Sequence, residues 1–285
     1  MTGPKKYCYF NGKIIPFSQA KISVDDLGVT RGYGVFDVSK SYEDGKVFLL
    51  DAHVNRFFHS AETIGLLPPM SKKTLARIIQ TLLKKNGGGE AQVRVVMTGG
   101  APVDGLRFNK KKPTIFILIE PFIPFPHSVY KNGTKLMTHE FQRAFPRAKT
   151  TNYITAVSLQ EERVKTKAIE ILFVSRGFVR EASTSNVFIV KGNNVITPYE
   201  GILLGITRDF VLKLAKPLYH IEERNIRTEE LFSADEVFLT ATNKEIVPIV
   251  NIDGKKIGNG KVGKNTKQLM HLFREKTGPS SIQLL

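Results

Sequence analysis

Three prolines, Pro121, Pro124 and Pro126, fall within six residues near the middle of a chain of 285 residues. Proline lacks a backbone N–H and fixes its own φ, so such a cluster cannot lie inside a helix or in the interior of a sheet. The cluster therefore predicts a boundary: a small N-terminal domain over 1–122, a linker over 123–131 and a larger C-terminal domain over 132–285. Each part is long enough to bury its own core.

Turn and periodicity signals predict α+β architecture on both sides. Asn11-Gly12 follows the β-like run Tyr7 to Phe10, and Asp44-Gly45 separates Phe36 to Tyr42 from Lys46 to Leu50, so both read as antiparallel hairpins. Asp51 reads as the N-cap of a helix with Val54, Phe57, Phe58, Ala61 and Ile64 on one face, ending near Gly65. A second helix is predicted over 71–85, then strands over 91–97 and 114–120 with a flexible loop between them. Beyond the prolines, strands are expected at 134–139, 170–175, 178–181, 186–190, 194–196 and 236–240, and helices near 152–167 and 206–218. The expected fold is two α+β domains with mainly antiparallel sheets and flanking helices.

Composition excludes several classes. A single cysteine, Cys8, rules out an intramolecular disulfide framework and a multi-thiolate metal site, and fits a reducing compartment. No apolar run approaches the ~18 residues of a membrane span. Met1 to Phe10 has no apolar stretch after its lysines, which argues against a cleaved signal peptide, so a cytoplasmic protein is expected. The 42 basic and 26 acidic residues give a net charge of +16, which raises nucleic-acid binding as an alternative. The cations are spread along the chain, however, as at Lys72, Lys73, Arg77, Lys84, Lys85 and Lys110 to Lys112. A solvated basic surface is the simpler reading.

Common nucleotide and metal motifs are missing. Gly32-Tyr33-Gly34 lacks a third glycine, no Gly-Lys-Ser/Thr follows Gly99-Gly100, and no histidine pair has zinc-protease spacing. Three segments of the C-terminal part nevertheless combine reactive side chains with unusual backbone. Lys149 stands four residues ahead of Tyr153, so the two share a face if a helix begins at once. Glu181 precedes the small polar run Ala182 to Asn186. Gly201 to Arg208 enters a helix through Gly205, with Thr207 just behind, as an anion cup would. An amine, a carboxylate and an anion cup are what pyridoxal phosphate requires: a partner for its aldehyde, one for its ring nitrogen and one for its phosphate.

In their order and spacing these segments resemble the class IV aminotransferases, the fold-type IV pyridoxal-phosphate enzymes. The resemblance extends through Arg31-Gly32-Tyr33-Gly34-Val35-Phe36-Asp37, His53-Val54-Asn55-Arg56, Glu236 to Asn243 and Ile252-Asp253-Gly254, covering nearly the whole chain. It implies Lys149 as the Schiff-base lysine and proton shuttle, and Glu181 as the partner of the pyridine nitrogen. It implies a phosphate site made by Arg56, Ile206, Thr207 and Thr242, with Tyr153 near the ring's phenolic oxygen and Leu203 on the ring face. It also implies a homodimer that takes an amino acid and a 2-oxo acid as substrates.

Substrate choice within the family is open at this level. The Arg-x-His pair of typical D-amino-acid transaminases is replaced by Ala101 to Gly105, and Phe-Glu-Gly of branched-chain enzymes by Phe36-Asp37-Val38. Thr98-Gly99-Gly100, Asp104-Gly105 and Phe141-Gln142-Arg143 resemble a less usual group of D-amino-acid transaminases, for which Arg31 and Arg94 are the matching carboxylate binders and Arg180 a further candidate. The expected activity is D-amino-acid transamination with 2-oxoglutarate or pyruvate as acceptor. The alternatives are an L-branched-chain aminotransferase, an aminodeoxychorismate lyase, and a basic nucleic-acid-binding protein without catalysis.

Overall fold

The computed structural model describes residues 6–277; residues 1–5, on which part of the leader argument rests, lie outside that range. The chain separates into two compact units, residues 1–123 with 147–153, and residues 124–146 with 154–285.

The first unit runs β1 (Tyr7–Phe10), β2 (Lys13–Pro16), α1 (Leu27–Arg31), β3 (Gly34–Ser41), α2 (Leu50–Thr63), α3 (Lys72–Lys85), β4 (Ala91–Thr98), β5 (Pro102–Asp104), β6 (Arg107–Phe108) and β7 (Thr114–Pro121). Five of these strands form an antiparallel sheet in the order β2-β1-β7-β4-β3. Side chains of a strand alternate between faces, and here Val35, Val93, Val95, Met97, Ile115 and Ile117 point to the face covered by Val54, Phe57, Leu75, Ile79 and Leu82 of α2 and α3. Burying each large apolar side chain contributes roughly 1.5–3 kcal/mol, so this face holds the unit together. The opposite face carries Phe36, Val38 and Arg94, the last paired directly across from Val38.

Two local expectations give way here. The Asp44-Gly45 turn forms, but only a single bridge, Ser41↔Val47, follows it, because Leu49 adopts φ +50° and turns the chain into α2. Leu49, not Asp51, is the N-cap residue, and Asp51 lies within the first turn. The loop expected after β4 contains the small hairpin β5-β6. Ser71 caps α3 by accepting a hydrogen bond from the Thr74 N–H at 3.1 Å.

The second unit runs α4 (His127–Asn132), β8 (Thr134–Glu140), α5 (Ile154–Ser158), α6 (Gln160–Lys165), β9 (Glu170–Ser175), β10 (Phe178–Ala182), β11 (Asn186–Lys191), β12 (Asn194–Thr197), α7 (Ile206–Ala215), β13 (His220–Glu223), β14 (Ile226–Arg227), α8 (Thr228–Phe232), β15 (Glu236–Ala241), β16 (Glu245–Ile252), β17 (Lys255–Lys256) and α9 (Lys264–Thr277). The large sheet has the order β13-β12-β11-β15-β16-β8-β9-β10-β14, with β17 beside β16. Its ends β13 and β14 are separated by only Arg224 and Asn225, so the sheet curls round. Three of its pairings are parallel, β12 with β13, β16 with β8 and β8 with β9, and the others are antiparallel, so the sheet is mainly antiparallel as expected. Phe188 and Phe238 stack 4.8 Å apart within its core, beside Val211, Leu269 and Phe273 from α7 and α9.

The stretch anticipated as a linker over 123–131 is partly helical. Pro126, at φ −54°, stands as the cap residue of α4, where its missing N–H is harmless. The single helix expected over 152–167 is broken into α5 and α6, and the one expected over 206–218 ends at Ala215.

Candidate active site

In the first unit the lysine segment is extended. Phe36 N–H donates to the Lys149 carbonyl (2.9 Å), Thr151 N–H to that of Gly34 (2.9 Å), and Val35 bridges Thr150. Residues 147–153 thus continue the edge of β3 and group with the first unit, whereas the sequence placed Lys149 in the C-terminal domain. Because α5 starts only at Ile154, Lys149 and Tyr153 do not share a helix face. They flank one ring instead: Lys149 Nζ is 4.7 Å from the Phe36 centroid, and the Tyr153 ring meets Phe36 edge-on at 5.6 Å. The Lys149 N–H donates to buried Ser60 Oγ (3.0 Å), so α2 also fixes the backbone of this residue.

Arg56 lies on α2 and is held by a carboxylate that sequence reasoning did not single out. Asp37 on β3 accepts from Arg56 Nε at Oδ2 (2.7 Å) and from Nη2 at Oδ1 (3.0 Å), and His53 Nδ1 donates to Oδ1 (2.7 Å). Burial pushes the Asp37 carboxyl up, but the Arg56 and His53 interactions overcome it and hold it well below the usual range. Burial lowers His53, opposed by Asp37 and reinforced by the cations Arg56 and Lys149, so the ring is held neutral beside them. A legible signal existed: a charged residue inside an apolar strand, and a histidine three residues before an arginine on one helix face.

Arg94 donates from Nε to Glu120 Oε2 (3.0 Å), which also accepts from Gln92 (3.0 Å), and its guanidinium lies 5.9 Å from the Phe36 centroid. Phe36 is therefore the common neighbour of Lys149, Tyr153 and Arg94. Arg31 ends α1 and is exposed, donating to the Thr30 carbonyl (2.8 Å). Its short helix is anchored by Asp26, which accepts from the Gly28 N–H (2.7 Å) and the Thr114 hydroxyl (2.6 Å).

In the second unit Glu181, near the end of β10, is buried and doubly engaged. Arg143 Nη1 donates to its Oε1 (3.2 Å) and the Leu203 N–H to its Oε2 (3.1 Å). Leu203, expected on the ring face, thus has its backbone N–H on the Glu181 carboxylate. Arg180, one residue earlier, does not join Glu181. Successive strand residues face opposite ways, and its guanidinium lies against the Ser175 and Glu200 carbonyls and the Phe178 ring.

The start of α7 fits a phosphate. Gly205 is the N-cap residue and supplies no side-chain cap, while Ile206 and Thr207 are buried. A buried helix end without cap partners needs an acceptor from elsewhere, and an anion is the natural one. A Cβ at Gly205 would collide with Asn186 Oδ1, whose Nδ2 donates to the Leu203 carbonyl (2.8 Å). Directly across from Asn186 stands Thr240, whose buried hydroxyl has no hydrogen-bond partner among the described residues. Thr242, half-buried, occupies the turn from β15 to β16. A glycine cradle, open amides and an orphan hydroxyl form a donor set suited to phosphate, and Glu181 to a protonated ring nitrogen. The residues present fit pyridoxal phosphate.

The family model for amino-transferase class IV matches residues 34–252. A protein of Methanocaldococcus jannaschii named "Putative branched-chain-amino-acid aminotransferase" is 36% identical, with 94% of this chain and 95% of the relative covered. The D-alanine aminotransferase of Bacillus licheniformis is 31% identical over 91% of this chain and 93% of its own length. Among solved structures, the branched-chain amino acid aminotransferase from Thermobaculum terrenum in its PLP-bound holo form superposes with a TM-score of 0.85 at 26% identity, covering 95% and 94% of the two chains. The Escherichia coli branched-chain amino acid aminotransferase gives 0.86 at 27% identity, covering 98% and 97%.

Proposed function

We propose, for a chain that belongs to the class IV aminotransferases and works with pyridoxal 5′-phosphate, that the amino group comes from a D-amino acid and passes to a 2-oxo acid such as 2-oxoglutarate or pyruvate. The observation that carries the D-amino-acid reading is Arg94. Among the described residues only its Nε is engaged, by Glu120, so the Nη fork is available for a substrate carboxylate beside Phe36, the ring that Lys149 also approaches. Arg31 is a second carboxylate candidate.

When bound, the cofactor supplies an aldehyde that receives nitrogen and a ring that withdraws electrons from the carbon losing its proton. With the cofactor bound, Lys149 Nζ would take the proton from the substrate Cα and deliver it to the cofactor carbon that keeps the nitrogen, and would carry a proton the opposite way in the second half-reaction. With its backbone fixed by Ser60 and Phe36, only the Lys149 side-chain torsions remain to be ordered. In the second unit Glu181 would hold a proton on the ring nitrogen, Leu203 would pack against the ring, and Ile206, Thr207 and Thr242 would bind the phosphate. From the first unit Tyr153 would serve the phenolic oxygen, and Arg56 would be the phosphate's cation.

A second reading, an L-branched-chain aminotransferase, is favoured by the names of the Methanocaldococcus relative and of the solved structures. Replacement of Arg94 by glutamine tests the role that separates the two. The D-amino-acid reading expects KM for D-alanine to rise at least about tenfold with cofactor affinity unchanged. An unchanged KM contradicts it.

A further inference from the structure

Two buried charges in the second unit are not used by the proposed chemistry. Glu170 begins β9, and Lys244 closes the turn between β15 and β16; their side chains are 4% and 6% exposed and form an ion pair at 2.7 Å. Around them lies the strap Ser183-Thr184-Ser185 that joins β10 to β11. Glu170 Oε2 accepts from Ser183 Oγ (3.1 Å), Thr184 N–H (2.7 Å) and Thr184 Oγ1 (3.0 Å), and Oε1 accepts from Ser185 Oγ. Lys244 Nζ donates to Thr184 Oγ1 (2.6 Å) and Ser185 Oγ (3.4 Å). Burial pushes Glu170 up, but Lys244 and the strap donors reverse this and hold it below its ordinary value.

This network holds the strap that follows Glu181 and the turn that carries Thr242. The strap begins two residues after Glu181 and ends at Asn186, whose side chain lies against Gly205 at the start of α7. The Lys244 N–H donates to the Ala241 carbonyl (3.2 Å), closing the turn that displays Thr242, and the Lys244 carbonyl accepts from Tyr130 Oη (3.2 Å). A buried ion pair is weak evidence for stability, because desolvation offsets the attraction. Its geometry matters more: one ammonium and one carboxylate fix the strap and the Thr242 turn to the same point.

We propose that Lys244 and Glu170 are positioning residues that set the Thr242 turn and the strap for recognition of the cofactor phosphate. The inference rests on the reading of the start of α7 as the phosphate site. Its signature is selective: the pair supports binding of the phosphate but not of the ring.

The test compares pyridoxamine 5′-phosphate with pyridoxamine, measured by calorimetry on the apoprotein, for wild type, Lys244→Met and Glu170→Gln/Lys244→Met, with melting temperatures recorded alongside. A merely structural pair predicts that the double variant, which leaves no uncompensated charge, regains both stability and affinity. A positioning pair predicts that the double variant is stable yet binds pyridoxamine 5′-phosphate about tenfold more weakly, the effect of mis-aiming one hydrogen bond to a charged group, with pyridoxamine unchanged. If Lys244→Met fails to fold, the double variant carries the comparison. Equal losses for both ligands, or no loss, overturn the proposal. Thr207→Val separates the two levels: if it leaves phosphate selectivity intact, the phosphate-site reading itself falls. If it removes selectivity and the double variant does not, only the positioning role falls.

Discussion

Asp37→Asn isolates the buried carboxylate that orients Arg56. The substitution keeps shape and volume but leaves one acceptor where the wild type has two, against three donors at 2.7, 2.7 and 3.0 Å. One donor must then face the amide NH2 group. The Arg56 side chain is 12% exposed and that of Asp37 4%, so little water is at hand to solvate the stranded guanidinium. Breaking a buried pair from one side costs about 3–5 kcal/mol, on the order of 10 °C in melting temperature for a chain of this size. Urea and thermal unfolding of the apoprotein, followed by circular dichroism, measure it. Asp37→Asn/Arg56→Met, which removes both charges, is expected to recover much of the loss. A single-variant loss below about 1 kcal/mol, the level of an ordinary surface pair, would refute the claim that this carboxylate is buried and fully engaged.

Four further outcomes are expected. His53 has a folded pKa below its unfolded value, so the unfolded chain binds the proton first as pH falls through about 6.5. Wild-type stability should therefore decline from pH 7 to 5, and His53→Gln should flatten that slope; an equally steep slope in the variant denies the buried neutral ring. Gly205→Ala is expected to destabilise by about 1–3 kcal/mol, because the methyl displaces Asn186 from the Leu203 carbonyl; a neutral unfolding midpoint contradicts the close approach. Glu181→Gln should retain the cofactor while kcat falls roughly 10²-fold, so wild-type turnover would remove it from the chemistry. Lys149→Ala should abolish transamination and change the visible absorption of the bound cofactor, and an unchanged spectrum would assign the reactive amine elsewhere.

Much of the local structure was legible in the sequence. The apolar spacing of α2 and α3 and the alternating runs of β4 and β7 are local signals, and Ser71 marks its helix start because capping needs only a hydroxyl near the Thr74 N–H. Leu49 carried no such signal, since its left-handed turn follows from tertiary packing. The parallel neighbours β8, β9 and β16 were hidden because their pairing joins residues far apart in the chain. The candidate site divides similarly. Arg56, Lys149, Glu181 and Thr207 stand in motifs, and Asp37 shows as a charge inside an apolar strand, whereas Ser60, Arg143, Asn186 and the Glu170–Lys244 pair matter through partners that only the fold supplies. Helical spacing also misled: Lys149 and Tyr153 meet at Phe36 through an extended edge segment.

Stereochemistry is the most direct measure of the proposed activity. A single-turnover panel on the holoenzyme, with D-alanine, D-glutamate, L-leucine and L-glutamate each mixed rapidly and followed at the visible band of the bound cofactor, reads the first half-reaction alone. D-alanine and D-glutamate are expected to bleach the band while L-leucine leaves it; bleaching by L-leucine alone contradicts the D-amino-acid reading.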